Sequence, residues 1–349
     1  MEENLSQSRK ILTRLTKKRV GKFVPEDPPE ISVIIPAYNI SSVIADTLNS
    51  VISQTYTNFE IILIDDGSAD STELEEKLEP YFDKIIYGKQ DNAGASKARN
   101  LAICLSRGRL TAFLDGDDIW YPNFLQSQVR FLSENDLDMV YCDAKFFGEN
   151  YSSGETYMET TPSNGEVTPK SLIDGSCNVI TSGTLLKREV LEKFGLFDSR
   201  STRAQDFDLW FRFAKNGVKI GYQREVLLKY RVSSTSLSGN NVERAERNTR
   251  ILHFIKEKYE LTEEELKVWN HQLAFSEAEV ELEKAKRFMI EGRYSEAFLH
   301  LDKANAFYRK PKLTLIKWLL RLSPRLTVTL FKKFRPAEFS FITPNSAQK

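Results

Sequence analysis

Three clusters of polar side chains follow apolar runs in the sequence, and one cluster is strongly acidic. Asp115-Gly116-Asp117-Asp118 places three carboxylates within four residues, directly after the apolar run 110–114. Carboxylates this close repel one another and raise one another's pKa, and a bound divalent cation removes that repulsion. Mg²⁺ and Mn²⁺ typically take one or two carboxylates together with substrate phosphate oxygens. The Asp-x-Asp spacing therefore indicates a metal–diphosphate site, with a solvated acidic turn as the alternative.

Two further polar clusters occupy similar positions earlier in the chain. PAYN at 36–39 ends the β-branched run that starts at Ile31, and DDGS at 65–68 follows the apolar run 59–64. Residues of these types also form turns and cap helices, so each cluster taken alone has a structural explanation.

The spacing of the apolar runs indicates how the three clusters come together. Between 31 and 134, strand-like runs alternate with helical stripes, which implies right-handed crossovers and a parallel sheet. Such sheets bind ligands at the carboxyl ends of their strands, and all three clusters follow predicted strands. Beyond this region the pattern becomes mixed, with a strand at 139–147, helices at 187–194 and 206–216, and strands near 218–222 and 226–232.

Length and patterning predict more than one domain, since domains average about 150 residues. We expect a flexible basic arm at 1–30, an α/β domain at 31–238, a helical extension at 239–310, basic amphipathic helices at 311–335 and a disordered tail at 336–349. In the extension, the residues from Ala285 to Pro311 resemble one tetratricopeptide-type hairpin. That hairpin is either a helical cap on the α/β domain or a repeat-like surface for partners.

Composition excludes several classes of protein. With 41% hydrophobic and 28% charged residues, the chain is neither disordered, nor fibrous, nor a multi-span membrane protein. Its three cysteines lie far apart and it has three histidines, which argues against a zinc cluster. No G-x-G-x-x-G or G-x-x-x-x-G-K-[ST] motif occurs, so a dinucleotide oxidoreductase or a P-loop NTPase is disfavoured.

The formal net charge of zero conceals an uneven distribution of charge. Residues 310–349 carry nine basic side chains and one acidic one, whereas residues 31–309 carry 33 basic and 43 acidic ones. The basic residues of 312–335 are interspersed with Trp and Leu, which suits an anionic membrane surface. Docking on its own domain and a dimer contact are the alternatives. No recognition module accompanies the charge, so we expect no nucleic-acid partner. Without a secretory signal, the chain is predicted to be cytoplasmic, and the membrane alternative would place it on the inner face of a membrane.

The order of the motifs resembles that of the family 2 glycosyltransferases with the GT-A fold. PAYN, IDDGS, DNAGASKARN and FLDGDD follow one another in the family's sequence order, and the resemblance covers roughly residues 31–235. It implies a Rossmann-like, mainly parallel α/β sheet flanked by helices, here followed by an all-helical C-terminal extension. It also implies a nucleotide-diphosphate sugar donor and a divalent metal, Mn²⁺ or Mg²⁺.

The resemblance implies roles for the residues that match these motifs. At the first two strand ends, the nucleoside would be held by Pro36, Ala37, Tyr38, Asn39, Asp65 and Asp66. In the glycine-containing segment, the diphosphate would be approached by Asn92, Gly94, Lys97 and Arg99. In the acidic cluster, the nucleotide would meet Asp115 and Gly116, and the metal would be held by Asp117 and Asp115.

The resemblance also implies a general base late in the α/β domain. The family's acidic pair is usually Glu-Asp, and the matching segment here reads Gln205-Asp206. Asp206 is the predicted base, which would take a proton from the acceptor hydroxyl, and Asp208 is its rival. Weaker matches on the acceptor side are Trp120, Ser182, Gly183, Gln205 and Arg231.

The expected activity is inverting transfer of a sugar to a hydroxyl, in cell-surface polysaccharide or glycan biosynthesis. The expected acceptor is a glycan or a lipid-linked glycan. Two alternatives are a catalytically weak assembly or binding subunit, favoured by the missing Glu at 205 and the missing His after Arg231, and a sugar nucleotidyltransferase.

Overall fold

The computed structural model describes residues 11–22, 24, 26–148, 155–198, 205–232 and 241–334. The chain divides into two compact units, residues 1–232 and residues 233–349. Within the described residues, the first unit contains strands and helices, and the second contains helices alone.

The first unit alternates strands with helices along its first half. Its strands are β1 (Lys17–Val20), β2 (Ile31–Ala37), β3 (Phe59–Asp65), β4 (Ile85–Lys89), β5 (Leu110–Phe113), β6 (Ile119–Trp120), β7 (Met139–Phe147), β8 (Thr184–Lys187) and β9 (Ile220–Arg231). Its α-helices are α1 (Ile44–Ile52), α2 (Ser71–Leu78), α3 (Ala95–Leu105), α4 (Phe124–Glu134), α5 (Tyr157–Thr160), α6 (Pro169–Ile173), α7 (Arg188–Phe194) and α8 (Gln205–Lys215). A short 3₁₀ turn, Thr181–Gly183, precedes β8.

All nine of these strands join one sheet, in the order β1-β4-β3-β2-β5-β8-β7-β9-β6. The neighbours β4, β3, β2 and β5 run parallel, and β8 is antiparallel to both β5 and β7. Ile31, Val33, Ile34 and Ile35 of β2 are fully buried, as expected for a strand whose two faces are both covered. The predicted parallel arrangement is confirmed for β4, β3, β2 and β5, whereas the sheet as a whole is mixed. The three polar clusters follow the carboxyl ends of the adjacent strands β3, β2 and β5.

The prediction of a flexible arm over residues 1–30 is wrong for its described part. Residues 17–20 form β1, which pairs antiparallel with β4 at the edge of the sheet. Its side chains are exposed, so the strand depends on backbone hydrogen bonds and on surface contacts such as Lys17 Nζ to Glu75 Oε2 at 2.6 Å. An edge strand without a buried face has no alternating apolar pattern, which explains why the sequence did not indicate it. Residues 1–10 lie outside the described residues.

The two strands predicted near 218–222 and 226–232 form one long strand, β9. It pairs parallel with β7, and the register shifts at Asp143, where β9 carries extra residues. This β-bulge lets one strand continue through polar positions, which in the sequence indicate a break between two strands. The strand ends at Arg231, close to the acidic loop.

A buried carboxylate connects the amino ends of β2 and β3 with the turn before β5. The Glu60 side chain is fully buried and accepts hydrogen bonds from Ser32 Oγ at 2.8 Å and from the backbone N of Arg107 at 2.6 Å. The Arg107 guanidinium adds Nε at 2.9 Å and Nη2 at 2.8 Å. A buried charge needs such partners, because leaving it unpaired is strongly unfavourable.

The second unit begins with a three-helix arrangement. The helices are α9 (Asn241–Lys258), α10 (Glu263–Ile290) and α11 (Tyr294–Tyr308), followed by α12 (Pro311–Leu322) and α13 (Pro324–Phe334). A capping box between Thr262 and Glu265 starts α10, and Gly292 (φ 78°) turns the chain into α11. The helical extension is confirmed, and its role as a cap or as a partner surface stays a prediction. The predicted disordered tail, 336–349, lies outside the described residues.

None of the helices in the described ranges combines the length and the low polarity that a membrane crossing requires.

The Glu60 network predicts a large difference between two neighbouring arginines. Arg107→Met should lower the free energy of unfolding by about 3 kcal/mol, because it leaves a buried carboxylate without its ion pair. Arg109→Met is the matched control, since Arg109 pairs with Glu30 at the surface and its loss should change stability by less than about 1 kcal/mol. Urea unfolding of both variants measures the difference, and equal stabilities would show that Glu60 does not need its partner.

Candidate active site

The acidic loop after β5 is held by side chains from two distant segments. Asp118 N donates to Asp115 O at 3.1 Å, which closes the loop as a turn. Thr47 Oγ1 of α1 lies 2.9 Å from Gly116 O and 2.8 Å from Asp118 O. Asp115 N donates to Ser182 Oγ at 3.1 Å. The position of the loop is therefore set by α1 on one side and by the 3₁₀ turn on the other.

Arg231, at the end of β9, contacts the same loop with both its backbone and its side chain. Its backbone N donates to Asp118 Oδ1 at 2.9 Å, and its Nε donates to Asp117 O at 2.7 Å. Its Nη2 reaches Asp46 Oδ2 at 3.2 Å, and the guanidinium lies 4.4 Å from the ring centre of Phe147. These contacts bring the weakly predicted Arg231 to the acidic loop, where it neutralises part of the local charge.

Burial and mutual repulsion raise the pKa values of two carboxyl groups in the acidic loop. Burial, followed by the charge of Asp115, raises the pKa of Asp117 to about 6. The pKa of the fully buried Asp118 is raised well above its ordinary value, first by burial and then by Asp117 and Asp115. The ionised loop is therefore unfavourable until further positive charge arrives.

The donor set of the loop fits a hard divalent cation that shares its shell with a phosphate. Asp115 and Asp117 are both partly exposed, whereas Asp118 faces the interior. In the ranges that the structure describes, no group of three or more His, Cys, Asp or Glu side chains forms a complete metal site. Two carboxylates are what Mg²⁺ or Mn²⁺ takes from a protein when substrate oxygens complete its coordination. Asp115 and Asp117 therefore match the metal-ligand prediction in type and in exposure.

Arg99 forms an ion pair with Asp115 of the acidic loop. Its side chain is 9% exposed and lies 5.4 Å from the ring centre of Phe197. The guanidinium is therefore held at the acidic loop, and its contact with a diphosphate stays a prediction. The same holds for Lys97, which is half-buried two residues earlier on α3.

The ends of β2 and β3 are joined by reciprocal hydrogen bonds. Asn39 adopts a left-handed conformation (φ 53°), its backbone N donates to Ser68 Oγ at 3.1 Å, and its Oδ1 accepts from Ala69 N at 2.8 Å. Tyr38, between Ala37 and Asn39, is 50% exposed. Asn39 therefore holds the ends of β2 and β3 together, and Tyr38 is the member of the PAYN cluster that presents an exposed aromatic ring.

Pro36 and Gly116 bring the first cluster against the acidic loop. A Cβ on Gly116 would lie 3.0 Å from Pro36 O and would overlap the Ile40 side chain. Only a glycine allows this approach, so Gly116 has a packing role at the site rather than a contact of its own.

Asp65 is a structural residue, and its predicted contact with a nucleobase is wrong. Its carboxylate is fully buried, accepts from Ser68 N at 2.9 Å and from Ser71 Oγ, and lies 3.7 Å from Lys89 Nζ. Its oxygens are thus engaged by the start of α2 and by Lys89.

Asp66 connects the end of β3 with the segment that leads into α3. Its Oδ1 accepts from Gln90 Nε2 at 2.6 Å and from Ala93 N at 2.9 Å, and its Oδ2 accepts from Gly94 N at 2.8 Å. Gly67 (φ 68°) permits the close approach, because a Cβ there would lie 2.5 Å from the backbone N of Asn92. Asp66 therefore positions the loop that carries the exposed Asn92.

Asp206 and Asp208 differ in access, although two residues separate them. Asp206 is exposed at the start of α8, and its Oδ2 lies 3.4 Å from Thr181 Oγ1. Asp208 is fully buried, with its Oδ2 3.9 Å from Arg212. Asp206 is therefore accessible to solvent, whereas Asp208 is not. Gln205, half-buried, is the first residue of the same helix.

The 3₁₀ turn joins the predicted base to the acidic loop. Thr181 contacts Asp206, and the next residue, Ser182, holds Asp115. The Asp206 carboxylate and the backbone of the acidic loop are thus held by two consecutive residues.

Three weak acceptor-side predictions, Trp120, Ser182 and Gly183, are wrong. Trp120 is 2% exposed, stacks on Phe124 at 3.9 Å between ring centres, and donates from Nε1 to Ser182 O at 2.8 Å. Ser182 and Gly183 are buried, and Gln128 Nε2 donates to Gly183 O at 2.7 Å. All three residues support the acidic loop from the protein interior. The face of Trp120 that a sugar would stack on is buried in the core.

Two residues at the site were missed in the sequence, Thr47 and Gln90. Thr47 carries a usable signal, since it is a polar residue on the buried stripe of α1, between Ile44 and Leu48. A buried hydroxyl on an apolar helix face needs a partner, and the partner here is the acidic loop.

Comparison with known proteins gives one family. Residues 32–195 match the model described as glycosyl transferase family 2. TuaG of Bacillus subtilis (strain 168), a glycosyltransferase whose name places it in teichuronic acid biosynthesis, is 31% identical over 238 residues, which are 65% of this chain and 91% of that protein. WfgD of Escherichia coli, a UDP-Glc:alpha-D-GlcNAc-diphosphoundecaprenol beta-1,3-glucosyltransferase, is 29% identical over 232 residues, 64% of this chain and 85% of its own length.

A solved structure shares the fold. The mannosyltransferase PcManGT of Pyrobaculum calidifontis, in complex with GDP-Man and Mn²⁺, aligns with a TM-score of 0.61 over 97% of this chain and 92% of its own. Its sequence identity of 17% limits the likeness to the fold.

The raised pKa of Asp117 predicts that this carboxylate destabilises the metal-free protein. Asp117→Asn should raise the free energy of unfolding at pH 8 in EDTA by about 1–3 kcal/mol, since each unit of pKa shift corresponds to about 1.36 kcal/mol. When a carboxyl group has a raised pKa in the folded state, the protein becomes less stable as the pH rises through that pKa. The stability difference between Asp117→Asn and the parent should therefore vanish near pH 4. Asp91→Asn, at an exposed acid, is the control and should change stability by less than about 0.5 kcal/mol. An Asp117→Asn variant no more stable than the parent at pH 8 would contradict this account.

Proposed function

The chain belongs to glycosyl transferase family 2 and is a glycosyltransferase with the GT-A fold. On this premise we propose that it transfers a sugar from a nucleotide-diphosphate donor to a hydroxyl acceptor, with inversion at the anomeric carbon. The observation that carries the proposal is the anchoring of an exposed carboxylate, Asp206, and of the acidic loop on the consecutive residues Thr181 and Ser182.

The donor diphosphate would bind at the acidic loop. Asp115 and Asp117 would hold Mn²⁺ or Mg²⁺, and a cation bound there would stabilise the negative charge that develops on the leaving diphosphate. The Mn²⁺ in the PcManGT complex supports this choice of metals. Arg99 and Arg231 keep the loop in place, and Lys97 supplies an additional positive charge near the phosphates.

The nucleoside would lie at the carboxyl ends of β2 and β3. The exposed ring of Tyr38 offers a stacking surface, and the Asn39–Ser68 and Asp66–Gly94 hydrogen bonds hold the pocket edges in place. Asn92 is exposed on the adjoining loop and can reach a polar group of the nucleotide. Asp66 Oδ2, which accepts one hydrogen bond within the protein, would contact the base together with exposed side chains and backbone, because the Asp65 carboxylate is engaged within the protein.

Asp206 would act as the general base. Its carboxylate takes the proton from the acceptor hydroxyl while that oxygen forms a bond to the anomeric carbon. The bond from the anomeric carbon to the diphosphate oxygen breaks on the opposite face, and the nucleoside diphosphate leaves with the electron pair. A positioned base of this kind contributes about 10²–10⁴-fold in rate. The hydroxyl of Thr181 and the adjacent Gln205 would orient the carboxylate and the acceptor.

The acceptor would be a glycan or a lipid-linked glycan of cell-surface polysaccharide. The names of WfgD and TuaG, which specify a diphosphoundecaprenol-linked sugar and teichuronic acid biosynthesis, support this class. A lipid-linked acceptor also fits the predicted position of the enzyme at the inner face of a membrane.

A panel of nucleotide sugars tests the reaction type. With Mn²⁺ present, the full chain should release a nucleoside diphosphate from one donor class, and Asp117→Ala should lower that release at least about 10²-fold, because the metal loses a ligand. Asp91→Ala is the matched control at an exposed acid and should retain activity. Release of pyrophosphate from a nucleoside triphosphate and a sugar 1-phosphate, supplied in a parallel assay, would indicate a nucleotidyltransferase instead. Absence of donor binding by calorimetry would favour an assembly subunit.

The assignment of the base predicts a separation of binding from turnover. Asp206→Asn should bind the donor with unchanged affinity and lower kcat at least about 10²-fold, since the amide cannot accept the proton. Glu189→Gln, at an exposed acid on α7, should leave kcat unchanged. Steady-state kinetics with calorimetry of donor binding distinguishes the two effects, and normal kcat in Asp206→Asn would move the base elsewhere.

A further inference from the structure

Helix α12 has apolar side chains on two opposite faces. Leu320, on one face, is 2% exposed and packs with Met289 and Ala297. Leu315, Trp318 and Leu322 are 58%, 58% and 76% exposed. Their spacing of three and four residues places them on one stripe, turned away from Leu320. Within the described part of the helical unit, these three side chains are left largely exposed.

Helix α13 continues the pattern. Thr327 is buried and Val328 packs on the α12 cluster, whereas Leu326 and Leu330, four residues apart, are exposed. Residues 311–334 thus hold five of the nine exposed large apolar side chains found in the described ranges. We call Leu315, Trp318, Leu322, Leu326 and Leu330 the apolar tail surface. Single exposed apolar residues are ordinary, but such a concentration marks an interaction site.

Positive charge surrounds the apolar tail surface. Residues 310–334 contain seven basic side chains and no acidic one. On the helical wheel, Lys312 and Arg321 lie on either side of the Leu315–Trp318–Leu322 stripe. Both are exposed, as are Arg325 and Lys333 of α13, while Lys317 pairs with Asp302 of α11. The surface therefore combines exposed Leu and Trp with a positive rim.

We propose that the apolar tail surface docks on an anionic lipid bilayer, with α12 and α13 lying in the plane of the headgroups. Leu and Trp side chains would enter the boundary between headgroups and acyl chains, and the basic rim would face anionic phosphates. Charge favours this occupant over a second copy of the chain, because a symmetric contact would bring two positive rims together. The proposal goes beyond the transfer reaction and does not depend on the donor or on the base.

The tryptophans provide a direct reporter for the docking. Trp120, Trp210 and Trp269 are buried, and Trp318 is the exposed one among the four in the sequence. Vesicles of phosphatidylglycerol and phosphatidylcholine should shift the emission of the full chain to shorter wavelength, and brominated acyl chains should quench it. Trp318→Phe should abolish both changes while it still sediments with the vesicles, because Phe keeps an apolar ring at the same place.

Substitutions on the surface test its contribution to affinity. Leu315→Ser with Leu322→Ser should lower the fraction of protein bound to these vesicles at least about tenfold, since two exposed leucines no longer enter the bilayer. Leu299→Ser is the matched control, because Leu299 is 54% exposed on α11 outside the surface. Vesicles of phosphatidylcholine alone, or 0.5 M NaCl, should weaken the binding of the parent chain.

Three results would overturn the proposal. The first is no sedimentation of the full chain with anionic vesicles, with its emission unchanged. The second is a dimer in lipid-free buffer that the double serine variant converts into a monomer, which would assign the surface to a second copy. The third is a loss of thermal stability in the double variant together with unaltered vesicle binding, which would assign the surface to contacts within the chain.

Discussion

The repulsion among Asp115, Asp117 and Asp118 is the constraint on which the rest of the site depends. A loop with three carboxylates, one fully buried, stays in place because its backbone and side chains are held by Thr47, Ser182, Arg99 and Arg231. The two arginines neutralise part of the charge, while burial and, after it, the charge of Asp115 keep the pKa of Asp117 raised. A site that remains electrostatically strained without a ligand is suited to a cation that arrives with a diphosphate.

Hydrogen bonding and burial distinguish the carboxylates that support the fold from those that can contact a ligand. Asp65 and Asp66 carry the motif of a nucleotide pocket, yet their oxygens accept hydrogen bonds from within the protein and fix two loops. Asp208 is buried next to Arg212, whereas Asp206, on the same helix, is exposed. Residues of the same type, close in sequence, therefore serve different purposes, and burial decides which of them can meet a substrate.

Local sequence patterns predicted most of the fold but only part of the candidate site. The parallel sheet and the acidic loop were predictable, because alternating apolar runs and a polar cluster at a strand end are local signals. Ser182 and Arg231 act on the loop from 67 and 114 residues away, and no local pattern indicates such contacts. The prediction for Trp120 failed because an aromatic residue beside an acidic motif can either stack on a sugar or pack in the core, and the sequence does not distinguish the two. Strand β1 was missed because its partner supplies backbone hydrogen bonds and no buried face.

The central claim is that the acidic loop binds a divalent cation together with the donor diphosphate. Anomalous diffraction from crystals grown with Mn²⁺ and either UDP or GDP tests it most directly. The account predicts a manganese peak in contact with the Asp115 and Asp117 carboxylates and with diphosphate oxygens of the bound nucleotide. Nucleotide bound at the ends of β2 and β3 with manganese elsewhere, or with none at these carboxylates, would contradict it.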